Sequence, residues 1–127
     1  RKQAENNALS FKDRGNEAFK SHKYDLAVRL YTSGLRHLPS AVLFSNRAQA
    51  LLKLERFEQA CSDCTKSLLF DDKYVKAYIR RATAYKALGK FDEAQKDVKR
   101  AKEIEPKNTE IRRLMRLVET ARIEKSY

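Results

Sequence analysis

Glycine and proline are scarce in this chain, at three and two copies in 127 residues, and tryptophan is missing altogether. Sheets of short strands need Gly, Pro, Asn and Asp at their connections, so a strand-rich fold is disfavoured. Ala, Leu, Lys, Arg and Glu dominate instead, and all of them favour helix. The expected class is all-α. Apolar residues make up 42% and charged residues 35% of the chain, a balance that supports one packed domain over residues 1–127 and argues against disorder.

Long apolar runs are missing too. None approaches the roughly 20 residues that a membrane-spanning helix requires, and the opening stretch RKQAENN carries no apolar signal segment. No membrane partner is expected, and, with no initial Met, an excised domain is the expectation. Two cysteines cannot make a disulfide scaffold, which fits a reducing compartment, the cytoplasm and also the nucleus. Cys61 and Cys64 form a C-x-x-C pair, but without further Cys or suitably spaced His that is half a metal site. Cys64 takes an inward position, so a reduced core thiol is expected and no metal. His22 and His37 fall near turns with no evident partner.

Catalytic signatures are equally absent. There is no Gly-rich phosphate loop, no Ser-His-Asp order and no paired carboxylates in a recognisable motif. Neither enzymatic activity nor a cofactor is expected. Acidic residues are outnumbered: 17 Asp and Glu face 28 Lys and Arg, for a formal net charge of +11. That excess calls for an acidic partner, whether nucleic acid, an anionic surface or an acidic peptide, and charge alone does not choose among them.

What is present is a repeat. Residues 8–40, 41–74 and 75–108 align as units of 33, 34 and 34 residues without internal gaps. The fourth position is aromatic (Phe11, Phe44, Tyr78), the eighth small (Gly15, Ala48, Ala82), the seventeenth aromatic again (Tyr24, Phe57, Phe91) and the twentieth Ala (Ala27, Ala60, Ala94). Small residues at the eighth and twentieth positions let two helices approach closely while the aromatics fill the surrounding space. Each unit therefore reads as helix, turn, helix, with first helices near 8–20, 41–53 and 75–87 and second helices near 24–38, 57–70 and 91–104. Pro39 and Pro106 stand where helices stop. Beyond the third unit, Ile111, Leu114, Met115 and Val118 recur at helical spacing and predict a seventh, amphipathic helix over 109–126 that closes the stack.

This pattern resembles the tetratricopeptide repeat family, whose 34-residue signature of aromatic, small and Pro positions it matches across residues 8–108. The resemblance implies a right-handed αα-superhelix with a capping helix. Arg14, Arg47 and Arg81 depart from it, standing at the seventh position where the general signature has Leu.

In such a stack the first helix of each unit lines the concave face, and its positions 2, 5, 6, 9, 12 and 13 form one stripe. They give Leu9, Lys12, Asp13, Asn16, Phe19 and Lys20, then Val42, Ser45, Asn46, Gln49, Leu52 and Lys53, then Lys76, Ile79, Arg80, Thr83, Lys86 and Ala87. Six cations face one acid on this stripe. Surface charge is usually just solvated, but here the resemblance sharpens. A subset of tetratricopeptide domains binds the acidic C-termini of heat-shock chaperones through a carboxylate clamp of Lys, Asn, Asn, Lys and Arg. Its motifs fall on Lys12, Gly15 and Asn16, on Ser45, Asn46 and Arg47, and on Lys76, Tyr78 and Arg80. The resemblance thus implies a clamp of Lys12, Asn16, Asn46, Lys76 and Arg80. A terminal Asp offers two carboxylates at one end, so converging ammonium, carboxamide and guanidinium donors suit it.

Phe19, Leu52 and Ile79 are expected to offer apolar contact upstream of the acidic end, and Lys53 and Lys86 to reach the ligand as further cations. The expected partners are the EEVD-type tails of heat-shock protein 90 and heat-shock protein 70. Among clamp-bearing co-chaperones the chain most resembles a kind that bridges heat-shock protein 90 to RuvB-like ATPase assemblies, and that resemblance implies such an assembly as a partner of regions outside these residues. The competing reading is a basic helical repeat binding nucleic acid through phosphates, against which the aromatics, assigned to packing, leave few stacking platforms.

Overall fold

The computed structural model describes all of residues 1–127 and consists of seven helices: α1 (Lys2–Lys20), α2 (Tyr24–His37), α3 (Ala41–Lys53), α4 (Phe57–Phe70), α5 (Val75–Ala87), α6 (Phe91–Ile104) and α7 (Thr109–Lys125). The chain is all-α and pairs its helices as α1 with α2, α3 with α4 and α5 with α6, with α7 packed against α5 and α6. Helix α1 starts at Lys2 rather than near residue 8. Residues 2–7 hold no breaker, and Arg1–Glu5 and Gln3–Asn7 bond one turn apart at 3.1 and 3.0 Å, so the helix extends beyond the repeat frame.

The turns inside the three hairpins share one geometry. His22, Glu55 and Gly89 sit at the same register and adopt φ of 61°, 58° and 74°. The following amides of Lys23, Arg56 and Lys90 reach back to the carbonyls of Ala18, Leu51 and Tyr85 at 2.9, 2.9 and 2.8 Å, satisfying helix-end carbonyls in the manner of a Schellman turn. Helix α3 is capped by Ser40, whose side chain accepts from Leu43 N, and α7 by Asn108, which accepts from Glu110 N and Ile111 N.

Close helix contact depends on the small residues. Ala27, Ala48, Ala60, Ala82 and Ala94 are fully buried. Gly15 leaves no room at all: a Cβ there would lie 2.5 Å from Tyr31 Cε1. The last core cluster packs Val75, Tyr78 and Val98 against Ile111, Leu114 and Val118 of α7. Met115 is not part of that seam and is 39% exposed.

The arginines that depart from the repeat signature are structural. Arg47 of α3 grips Asp63 of α4 through Nε and Nη2 at 2.7 and 2.8 Å and donates to Thr32 Oγ1 of α2 at 3.1 Å. Arg81 of α5 repeats this with Asp97 of α6 at 2.8 and 2.7 Å and Thr65 of α4 at 3.1 Å. Each guanidinium therefore ties three helices together. The first unit has no counterpart, because Leu30 stands where the acid would be and Arg14 lies over the Phe11 ring at 4.8 Å. The histidines also find partners: His37 stacks on Phe11 and faces Asn7 Nδ2 at 3.5 Å, and His22 stacks on Tyr24.

Candidate functional site

The first helix of each unit contributes one rung of a polar face. Lys12 and Asn16 stand four residues apart on α1, Asn46 on α3, and Lys76 and Arg80 four apart on α5, so helical period alone aligns the members on each helix. The structure joins three of the five directly. Asn46 Nδ2 donates to Asn16 Oδ1 at 3.3 Å, and Arg80 Nη1 donates to Asn46 Oδ1 at 3.4 Å. Tyr31 of α2, outside the expected stripe, is also a member, donating its hydroxyl to Asn16 Oδ1 at 2.5 Å. Asn16 thus has its oxygen occupied from two sides, which turns its amide hydrogens outward as donors.

Arg80 is the centre of the arrangement. Its Nη1 donates to Ser45 O at 3.0 Å and Ser45 Oγ at 2.8 Å, and its Nη2 to Gln49 Oε1 at 3.2 Å. Every acceptor it meets is neutral, and it takes part in none of the ion pairs of the protein. Burial pulls the guanidinium below its ordinary pKa, opposed by weaker influences from Tyr74, Cys64 and Glu110. Burial likewise pushes the Tyr31 hydroxyl up to about 12, with Arg80 opposing. A cation taken out of water and left without a counter-charge favours any anion that can reach it.

Beside Arg80 opens a cavity of about 530 Å³ lined by Gln49, Leu52, Lys53, Lys76, Ile79, Arg80, Thr83 and Glu110. Lys53 and Lys76 are exposed, Lys12 and Lys86 half-buried, and none has a carboxylate within ion-pair distance. Ile79 is largely core yet forms part of the cavity wall. Phe19 is brought to a different place. It packs on the first core cluster with its ring edge-on to Tyr24, at 5.2 Å between centroids, and is not a wall of this cavity. Lys86 also stands apart from the cavity walls. Glu110 was missed, and the stripe rule applied to α7 would have found it at that helix's second position.

A larger hollow of about 630 Å³ lies at the first unit, between Arg14, Leu26 and Leu30, and carries Asp13 and Glu17 among its walls. Arg14, Lys20 and Lys23 face those two acids, and Asn16 of the expected clamp also lines this hollow, whereas the cavity beside Arg80 holds three cations and one acid and takes in Lys76 and Arg80 of the clamp. Cys64 is buried and Cys61 half-buried, both as free thiols whose pKa burial raises. No cluster of His, Cys, Asp and Glu is placed to hold a metal, and no helix is long and apolar enough to cross a membrane.

Stacked helical hairpins with a cationic concave face and amide donors at its centre define a repeat scaffold built to hold an extended ligand. The family described as tetratricopeptide repeat matches residues 75–108. Sperm-associated antigen 1 of Mus musculus is 47% identical over 97 residues, 76% of this chain and 11% of that protein. RNA polymerase II-associated protein 3 of Homo sapiens is 43% identical over 115 residues, 90% of this chain and 17% of that protein. This chain therefore spans less than a fifth of either relative.

Two solved structures are near in shape. The first tetratricopeptide domain of Spaghetti (RPAP3), bound to the HSP90 peptide SRMEEVD, superimposes with TM-score 0.88 at 42% identity, covering 91% of this chain and 93% of that one. The second such domain of human RPAP3, in complex with the HSP70 peptide SGPTIEEVD, gives TM-score 0.88 at 39% identity, covering 91% and 98%. The chain belongs to the tetratricopeptide repeat family.

Proposed function

We propose that this domain is a peptide-binding module of a co-chaperone, capturing the acidic EEVD tails of heat-shock protein 90 and heat-shock protein 70 in its concave groove. The observation that carries the reading is Arg80, a desolvated guanidinium with neutral acceptors only, flanked by Lys76 and by the Asn16–Asn46 pair. The terminal carboxylates supply the missing counter-charge. Lys12 and Lys76 act as point charges, Asn16 and Asn46 direct their free amide hydrogens, and Arg80 is held in place by the second unit. The two RPAP3 domains with chaperone peptides support this assignment.

The module acts by binding, without catalysis or cofactor. A RuvB-like ATPase assembly is its further partner, engaged by regions outside these residues, and its place is the cytoplasm and also the nucleus. Fractionation of cells expressing the full-length protein tests the location, and co-purification with and without this domain tests the assembly.

Titration calorimetry with SRMEEVD, the same peptide amidated at its C-terminus, and a single-stranded oligonucleotide tests the function. Binding of the free acid with most affinity lost on amidation is expected. A tight, salt-sensitive oligonucleotide complex without peptide binding would replace this reading by the nucleic-acid one.

A further inference from the structure

Glu110 is the one carboxylate in the wall of the cavity that also takes in Lys53, Lys76 and Arg80. It is exposed and belongs to no ion pair. The start of α7 does not depend on its side chain, because Asn108 Oδ1 already caps that turn, accepting from the amides of Glu110 at 2.9 Å and Ile111 at 3.4 Å. Burial pulls the Arg80 guanidinium below its ordinary pKa, with Tyr74, Cys64 and the Glu110 carboxylate opposing, so the charge on α7 is felt at the centre of the clamp. Tail carboxylates seated on Lys76 and Arg80 therefore enter a space that already holds one negative charge. The cations attract them and Glu110 repels them. That repulsion needs no contact with a particular residue of the tail, since it follows from charge and separation alone.

We infer that Glu110 is a brake on the groove, holding its affinity for an acidic tail below the value that the cations and amides of the clamp would give alone. The inference rests on the peptide reading above. In a domain of net charge +11, one carboxylate at this place lowers the attraction where the charges of the tail gather and leaves the rest of the surface as it is. Complementary charge across an interface speeds encounter and strengthens binding, and a like charge inside the site works against both.

A Glu at the second position of a helix also suits the helix dipole. That role alone predicts a lower melting temperature on neutralisation and no gain in binding. Calorimetry of SRMEEVD with the parent, Glu110→Gln, Glu110→Asp and Glu124→Gln, beside melting curves of all four, separates the two roles. Glu124 is exposed and unpaired on the same helix. It lies about 20 Å further along the axis, well beyond the screening length at physiological salt, so its neutralisation changes the net charge equally but not the local field. Glu110→Gln should tighten binding about two- to fivefold, the range of a partly exposed charge pair. Glu110→Asp, which keeps the charge, and Glu124→Gln should stay near the parent. An affinity of Glu110→Gln no greater than the parent's, or an equal gain in Glu110→Asp or Glu124→Gln, overturns the brake whatever the melting curves show. If neither the parent nor any variant binds the peptide, the peptide reading itself falls. Binding by the parent without a gain in Glu110→Gln removes only the brake.

Discussion

Arg80 of α5 donates to both the hydroxyl and the carbonyl of Ser45 on α3, at 2.8 and 3.0 Å, and Ser45 is completely buried. The cation at the centre of the groove is therefore positioned by the neighbouring unit, and loss of either partner reaches the other.

Arg80→Ala should weaken binding of the acidic tail by ~1.5–3 kcal/mol, the range for hydrogen bonds to charged groups. Because Ser45 then loses its donor in a buried setting, the melting temperature should also fall. Calorimetry showing unaltered peptide affinity would remove Arg80 from the site.

Arg81, one residue on, should behave in the opposite way. Its removal leaves Asp97, whose side chain is 5% exposed, without its guanidinium, at a cost of about 3–5 kcal/mol in stability. Urea denaturation should show that loss, and Arg81→Ala with Asp97→Ala should recover part of it. Peptide affinity of the folded variant should stay at the parent value. If Arg81→Ala costs more binding than Arg80→Ala, the assignment of faces on α5 is wrong.

Asn46 lies between donor and acceptor, giving a hydrogen to Asn16 and taking one from Arg80. Asn46→Asp places a carboxylate beside Arg80, so thermal stability should be kept. The new charge fills the place meant for the ligand, and affinity should drop further than in Asn46→Ala. An Asp variant that binds as well as the parent would take Asn46 out of the clamp.

The Tyr31 hydroxyl has its pKa raised from the ordinary 10.0 to about 12. Its neutral form is favoured in the folded state, so its contribution is complete below pH 10 and is lost as the pH rises through about 12. Denaturant midpoints measured across that range should fall, and Tyr31→Phe should lessen the fall.

The hairpin turns offer a test of backbone strain. Gly89→Ala should destabilise by about 1 kcal/mol, since its φ of +74° disfavours a Cβ. Glu55→Gly, at the same register with φ of 58°, should stabilise by less than that, because glycine also loosens the unfolded chain. Equal melting temperatures for Gly89→Ala and the parent would show that the turn tolerates a side chain.

Much of this architecture was legible because helix packing writes itself into spacing. Ala48 and Ala60 face each other since close approach excludes anything larger, and aromatics at fixed offsets mark the same contact in every unit. Lys76 and Arg80 could be placed on one face from the 3.6-residue period alone. The Arg47–Asp63 and Arg81–Asp97 grips were not, since they join helices whose relative rotation no local pattern specifies. The contact of Phe19 with Tyr24 across the first hairpin turn was hidden for a related reason, since it too joins two helices. Glu110 stayed hidden while α7 was read only as a lid on the core, although one face of it continues the groove.

The unequal burial of the charged groups also decides how the domain responds to ionic strength. Asp63 and Asp97 hold their partners at side-chain exposures of 4% and 5%, beyond the reach of mobile ions, while Lys53 and Lys76 stand in solvent. Added salt screens the second group far more than the first. A column carrying the acidic peptide should therefore release this domain intact at a salt concentration that leaves its melting curve in place, so that capture and release can be cycled without unfolding.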